Sequence, residues 1–150
     1  MTYANFLLIL AGLPMTVLLT GVIFIVGGVL GFPIMLARQS SLLPIRIVTI
    51  AIIALIRSVP PIVWLFIVFF GIGADIVLIS PFFSAVIALG VIAAVNMAEI
   101  YRGGMISIHY GQWEAASALS LSRFYTFADV IIPQMFRVSL PAAGTYFIGL

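Results

Sequence analysis

Residues 76–98 read IVLISPFFSAVIALGVIAAVNMA, a run of 23 residues without a charged side chain that lies between Asp75 and Glu99. About 20 apolar residues are enough for a helix to cross a bilayer. Pro81 stands where the first turn of such a helix tolerates a proline, because the missing N–H has no helical partner there. The run therefore predicts a membrane-spanning helix over about 77–100.

The composition of the whole chain agrees with a membrane protein. Of the 150 residues, 65% are hydrophobic and 7% are charged, and the mean hydropathy is +1.37. A soluble domain is about 45–50% apolar and about 25% charged, so the composition excludes that class. The chain has no cysteine, which excludes thiol catalysis, cysteine-ligated metals and disulfides. The net charge of +2 comes from arginines without any lysine, and it indicates membrane orientation rather than nucleic-acid binding.

The first 37 residues carry no charged side chain before Arg38. Gly12 and Pro14 predict a short interfacial segment over residues 1–12, followed by a span over about 14–37. A secretory signal peptide is the competing interpretation, but the chain lacks a basic start and a small-residue cleavage site. The sequence therefore favours a first membrane span.

Gly27 and Gly31 form a G-xxx-G pair within this first span. Small residues at that spacing let a second helix approach closely in a membrane. The alternative is that these glycines reflect only the general abundance of glycine in membrane helices.

The second apolar segment, over about 42–71, is too long for one straight span. Pro60 and Pro61 lie near its middle, and the residue before a proline avoids helical angles, which predicts a break near 58–61. A fourth apolar run, over 138–150, is too short to cross a bilayer. We therefore expect an all-α integral membrane protein with three spans and the start of a fourth, in a sequence that looks incomplete at its carboxyl end.

The arginines predict the orientation of these spans, because excess arginine marks cytoplasmic loops. The turn over 72–80 has no arginine, so we expect it outside, with the amino terminus. The other two connections are expected inside: the turn after the first span and the polar segment 102–137. Their arginines are Arg38, Arg46, Arg102, Arg123 and Arg137.

The polar segment 102–137 is expected to hold two short helices. Glu114 falls in the first turn of one, where a carboxylate complements the helix dipole. Ser122 is placed to cap the second, which is expected to end before Pro133. A compact knob for another protein and an amphipathic hairpin on the membrane surface, anchored by aromatic side chains such as Trp113, both fit this pattern.

This segment resembles the EAA motif of permease subunits of bacterial ABC importers. The family pattern is E-A-A, three residues, G, nine residues, I-x-L-P, and the chain matches its spacing from Glu114-Ala115-Ala116 to Pro133. Ser120 replaces the family glycine, and Val130 and Ile132 replace isoleucine and leucine. Because the glycine allows the bend between the helices, serine is expected to stiffen the loop or alter its geometry.

Three further stretches resemble the polar amino-acid uptake branch of this family. They are Leu55–Pro60, Ala98–Gly104 and Gly111–Trp113, and the resemblance extends over about 12–150. It implies a type I ABC importer permease fold that docks on a cytoplasmic ABC ATPase subunit in the bacterial inner membrane. The expected docking residues are Gly111, Gln112, Trp113, Glu114, Ala115, Ala116, Ser120 and Pro133.

The resemblance also implies a second permease subunit, in a homo- or heterodimer, and an extracytoplasmic amino-acid-binding protein, besides membrane lipid. The chain itself lacks the lysine of a Walker motif and is expected to be non-catalytic, without metal, cofactor or nucleic acid. A small helical membrane protein such as a secondary transporter protomer, or an inactive truncated permease, remains the alternative.

Arg57, Asn96 and Glu99 are candidate substrate-pathway residues, because ionisable groups within a membrane usually face a partner or a pathway. A carboxylate suits the α-ammonium group of an amino acid, and an arginine suits its carboxylate. The structural alternative is that Glu99 only pairs with Arg102, and that Arg57 only binds Glu99 or backbone carbonyls near the break.

Overall fold

The computed structural model describes residues 3–72 and 79–150, which form helices joined by short connections. This confirms the predicted all-α fold for the described residues. The predicted outer turn over 72–80 lies mostly outside them. The helices are α1 (Tyr3–Arg38), α2 (Leu43–Ser58), α3 (Pro61–Phe66), α4 (Pro81–Ile106), α5 (Gly111–Ala118), α6 (Arg123–Tyr125) and α7 (Ile132–Ile148), with π-helical stretches at Ile67–Ile72 and Thr126–Ile131.

Two of the described helices are long and apolar enough to cross a membrane, over Leu10–Arg38 and Pro81–Ile106. A third crossing is possible if α2 and the helix after it count as one broken span, since they meet at 96°. The predicted break at Pro60 is confirmed. The Trp64 indole Nε1 donates to the Ile56 carbonyl oxygen at 3.1 Å, which connects the two sides of the bend.

Helix α1 is continuous through Gly12 and Pro14, so the predicted change from an interfacial segment to a span does not interrupt the helix. A proline inside a helix removes one backbone hydrogen bond, and membrane helices tolerate this loss through neighbouring polar groups. The nearby Thr16 hydroxyl donates to the Gly12 carbonyl oxygen at 3.2 Å, whereas the acceptor that loses its helical donor at Pro14 is the Leu10 carbonyl oxygen. The helix also passes through Pro33 before it ends at Arg38.

The core of the molecule is the contact between α1 and α4. A Cβ atom added at Gly27 would lie 2.6 Å from Cβ of Ala93, and one added at Gly31 would lie 2.7 Å from Cβ of Met97. Both distances are below van der Waals contact, so the two backbones approach as closely as glycine allows. The prediction that the glycine pair receives a second helix is confirmed, and the helix is α4.

Helix α7 packs against α4, and its Phe136 ring also stacks on Phe32 of α1 at 5.8 Å between ring centroids. The approach is closest at Gly104, where an added Cβ would clash with the Ser139 side chain and the Met135 carbonyl oxygen. Met135 is fully buried, in a cluster with Met35, Met97 and Tyr101. The α7 contact therefore continues the α1–α4 core.

The sequence predicted that the second helix of the polar segment ends before Pro133, and this prediction is wrong. The helix runs from Arg123 to Ile148 without interruption, and Pro133 falls in the first turn of its α7 part. The preceding stretch, Thr126–Ile131, is a π-helix, whose wider turns leave the hydrogen-bond ladder irregular. A proline is tolerated there because its missing N–H and its ring do not interrupt a regular α-helical ladder.

Helix α5 ends in a Schellman turn centred on Ser120. The Leu121 N–H donates to the Ala116 carbonyl oxygen at 3.1 Å, and the Ser120 N–H to that of Ser117 at 2.9 Å. Ser120 has a φ of 55°, the left-handed conformation, and no other non-glycine residue in the described part of the chain has a positive φ. Serine at the family's glycine position therefore adopts the left-handed conformation here, which costs a residue with a Cβ atom more than it costs glycine. The capping role predicted for Ser122 is confirmed, since its Oγ accepts from the Tyr125 N–H at 3.4 Å.

Replacing Gly31 by alanine is expected to lower the thermal stability of the protein in detergent. The new methyl would lie 2.7 Å from the Met97 Cβ and 3.0 Å from the Ala94 carbonyl oxygen. Forcing these helices apart should cost about 1–3 kcal/mol. Gly21→Ala, on the same helix with no atom within 4 Å of the new Cβ, is the matched control and should not destabilise the protein. Equal unfolding temperatures for the two variants would contradict the close contact.

Replacing Ser120 by glycine is expected to stabilise the end of α5 by about 1 kcal/mol, because glycine adopts a left-handed φ without steric cost. Amide hydrogen exchange across α5 should slow in this variant. Ser117→Gly is the control, since Ser117 lies inside the helix, where glycine weakens it and exchange should accelerate. Faster exchange in both variants would show that the bend does not need a left-handed residue.

Candidate functional site: the polar segment between α4 and α7

The polar segment begins with a tight turn that positions the first residue of α5. The Gly111 N–H donates to Nδ1 of His109 at 3.1 Å, and the Gln112 N–H donates to the His109 carbonyl oxygen at 3.0 Å. A Cβ at Gly111 would lie 3.0 Å from the same imidazole nitrogen. Gly111 is thus suited to this turn because it leaves room for the histidine ring.

Helix α5 presents one face to its own protein and the other outward. Ala116 is 2% exposed and lies where α5 packs on the π-helical stretch Thr126–Ile131. Trp113, Glu114 and Ala115 are exposed. The outward face carries the acidic first turn that the sequence predicted.

This geometry divides the predicted docking residues into two groups. Ala116 lies beneath the outward face of α5, so it seats the helix and is not available for contact with another protein. Gly111 is half-buried in the turn. The other predicted docking residues are exposed: Gln112, Trp113, Glu114, Ala115, Ser120 and Pro133.

A hydrogen bond between two glutamine side chains links α5 to α7. Nε2 of Gln134 donates to Oε1 of Gln112 at 3.1 Å, and also to the Val130 carbonyl oxygen at 2.8 Å. The sequence did not predict a hydrogen bond between these two side chains. Their shared amide chemistry was visible in the sequence, but no periodic pattern relates positions on two helices joined by a bend.

A separate cluster of charges lies where α1 and α4 meet. Arg38 forms an ion pair with Oε1 of Glu99, and the Arg102 guanidinium contacts Oε2 of Glu99 at 3.2 and 3.3 Å. The Glu99 side chain is 18% exposed. Two arginines thus compensate the carboxylate at a place where an unpaired charge would be costly.

The sequence did not predict the ion pair between Arg38 and Glu99. The predicted pair of Glu99 with Arg102 is present. Arg38 is the last residue of α1, and the parallel packing of α1 on α4 brings it beside Glu99.

Arg57 and Asn96, the other candidate pathway residues, do not contact Glu99 in the described structure. Arg57 is exposed at the end of α2 and close enough to Arg38 for their charges to repel. Nδ2 of Asn96 donates to the Tyr146 hydroxyl at 3.4 Å, which directs this side chain toward α7. Asn96 therefore contacts α7 and Glu99 contacts α1, while Arg57 lies exposed at the end of α2.

The described residues 3–72 and 79–150 contain no group of three histidine, aspartate or glutamate side chains able to hold a metal ion. The segment presents an exposed helical face on α5, and the hydrogen bonds of Gln112 and His109 connect α5 to neighbouring residues.

Comparison with known proteins places this arrangement in a transport family. A family model described as a binding-protein-dependent transport system inner membrane component matches residues 30–150. The L-cystine transport system permease protein TcyB of Bacillus subtilis (strain 168) is 39% identical over 93% of this chain and 59% of its own length. The probable amino-acid ABC transporter permease protein YckA of the same strain is 36% identical, over 97% of this chain and 65% of its own length.

A solved structure has the same fold. It is described as a crystal structure of an amino acid ABC transporter with histidines, and it superposes with a TM-score of 0.87 at 34% identity. The match covers 97% of this chain and 68% of that one, which confirms the predicted permease-like bundle.

The chain spans about six tenths of the length of these two curated relatives. The family match begins at residue 30, near the end of α1, and covers the broken second segment, α4 and the polar segment with its EAA pattern. The chain therefore belongs to the family of inner membrane components of binding-protein-dependent transport systems.

Proposed function

We propose that this chain is the permease subunit of an ATP-driven importer that takes up polar amino acids. Two permeases of that family, named for L-cystine and for amino acids, resemble it over almost its whole length. The subunit is non-catalytic, and a separate ABC ATPase hydrolyses ATP in the cytoplasm. A second permease subunit completes the path, and an extracytoplasmic binding protein delivers the amino acid.

The observation that carries this proposal is the outward face of α5. Glu114 and Ala115 are exposed on a helix whose other face is seated by Ala116. Small exposed side chains allow a partner surface to approach closely, and the acidic first turn adds a charged group to that contact. We assign this face to the groove of the ATPase subunit, with Trp113 beside it and Pro133 and Ser120 at its margins.

The arginines support an orientation with the amino terminus outside and the α5 segment in the cytoplasm. Arg38 and Arg102 then lie at the inner ends of α1 and α4, and Arg123 lies in the segment itself. In this orientation, closure of the ATPase pair on ATP moves α5. The movement passes to the membrane helices, which open alternately to the two sides.

Replacing Ala115 by arginine is expected to abolish co-purification of the ATPase and to leave membrane insertion intact, because the bulky side chain projects from the exposed face. Ala115→Ser is the matched control and should retain the ATPase. Ala116→Arg should instead loosen the segment itself, which limited proteolysis would detect, since Ala116 is buried. Normal recovery of the ATPase with Ala115→Arg would contradict the docking assignment.

A secondary transporter would behave differently in the same experiment. The unaltered full-length protein would then purify without an ATPase, and an ion gradient alone would drive its transport. Either result would overturn the proposed function.

Within this function we propose that Arg57, Asn96 and Glu99 lie along the substrate pathway. Arg57→Gln and Glu99→Gln are then expected to raise the transport KM about tenfold at normal expression, the loss expected for one hydrogen bond to a charged group. Arg38→Gln is the control, because it removes the same ion pair with Glu99 without altering a proposed substrate contact. If Arg38→Gln raises the KM as much as Glu99→Gln, the role of Glu99 is only to hold α1 against α4.

A further inference from the structure

The hydrogen bonds of Gln134 fix the orientation of two amide groups. Its side chain lies 2.8 Å from the Val130 carbonyl oxygen, which can only accept a hydrogen bond, so the group that faces it is the NH₂. The same NH₂ faces Gln112 at 3.1 Å, and Gln112 must therefore present its oxygen. The pair has a defined donor, Gln134, and a defined acceptor, Gln112.

These bonds connect three elements at one point. Gln112 lies in the first turn of α5, Gln134 lies in the first turn of α7, and Val130 lies in the π-helical stretch between α6 and α7. Pro133 lacks a backbone N–H in this same turn. The Gln134 side chain therefore contributes a hydrogen bond within an irregular part of the helix as well as a bond to α5.

The other attachment of α5 is of a different kind. Ala116 is the one buried residue described in α5, and a methyl group packed on a helix surface resists compression but has no directional bond to resist sliding. A hydrogen bond weakens steeply when its angle or its length changes. The glutamine pair is thus the described contact that resists movement of α5 along or away from α7.

The far side of α7 continues this connection into the core. The carbonyl of Met135, the residue after Gln134, and the side chain of Ser139, about one turn further along α7, approach Gly104 of α4 so closely that no Cβ fits between them. A displacement applied to the start of α7 therefore reaches a contact with α4 that cannot absorb it by compression.

We propose that Gln112 and Gln134 are positioning residues that pass the displacement of α5 to α7, and so couple ATP hydrolysis to transport. This inference rests on the proposed function and adds a distinction to it. Gln134 acts in transmission and not in docking, and Gln112 contributes to transmission in addition to any contact with the ATPase.

The test compares the same chemical change at the two ends of the bond. Gln112→Glu keeps an acceptor toward Gln134, whereas Gln134→Glu places a carboxylate against two acceptors, Gln112 Oε1 and the Val130 carbonyl. The variants are made in the full-length protein, purified with its ATPase and reconstituted in proteoliposomes with the binding protein. The measured quantities are ATPase recovery and the number of substrate molecules transported per ATP hydrolysed.

We expect Gln134→Glu to lower the transport-to-ATP ratio about fivefold, the factor that corresponds to one ordinary hydrogen bond, without loss of ATPase recovery. Gln112→Glu should lower the ratio less than Gln134→Glu does, because it retains an acceptor that faces the Gln134 NH₂. Gln39→Ala removes an exposed glutamine just after α1 whose described side-chain hydrogen bond goes to Met35 of α1; it is the control and should change neither quantity.

A double-mutant cycle decides the case if a glutamate variant fails to fold. Gln112→Ala and Gln134→Ala together should lower the ratio no further than Gln134→Ala alone, because each change removes the same contact. Additive losses, or a normal ratio in Gln134→Glu, would overturn the coupling role while leaving the proposed function intact. Failure of the unaltered protein to retain an ATPase would overturn both.

Discussion

The close approach of α1 and α4 at Gly27 and Gly31 is the constraint on which the rest of the structure depends. Within a bilayer the lipid tails are as apolar as the side chains, so helices gain little from burying apolar surface against each other. Their association depends on close packing instead, and the missing Cβ atoms let Ala93 of α4 pack against the α1 backbone. With the two backbones in contact, the Tyr101 hydroxyl reaches the Gly28 carbonyl oxygen at 3.2 Å, and Arg38 reaches Glu99.

The sequence predicted those elements that depend on local chemistry. The charge-free run before Glu99 predicted α4, Pro60 predicted the break in the second segment, and Ser122 predicted a helix start. It did not predict that helices continue through Pro14 and Pro133. The local rule counts the hydrogen bond that a proline removes, but not the π-helical turns that precede Pro133.

The sequence motif predicted which segment docks, but not which residues of that segment are exposed. The spacing of Glu114, Ala115 and Ala116 identifies the segment, yet a helix rich in alanine has almost no hydrophobic periodicity to show which alanine is buried. Only packing on the π-helical stretch shows that Ala116 faces inward. The same limit applies to Gln112 and Gln134, which meet because the left-handed turn at Ser120 reverses the chain between them.

The unequal strength of these contacts has a mechanical consequence for an importer of the proposed kind. The α1–α4 contact has backbone against backbone and no room to adjust, so it moves as one unit. Helix α2 has a single buried residue, Ile53, and α5 is held by one alanine and one amide pair. Movement delivered from outside the bundle is therefore absorbed least in α1 and α4 and most in the elements around them. Helix α7 contacts both α5 and α4. Movement of α5 is therefore passed to the packed α1–α4 pair at the contact between α7 and Gly104.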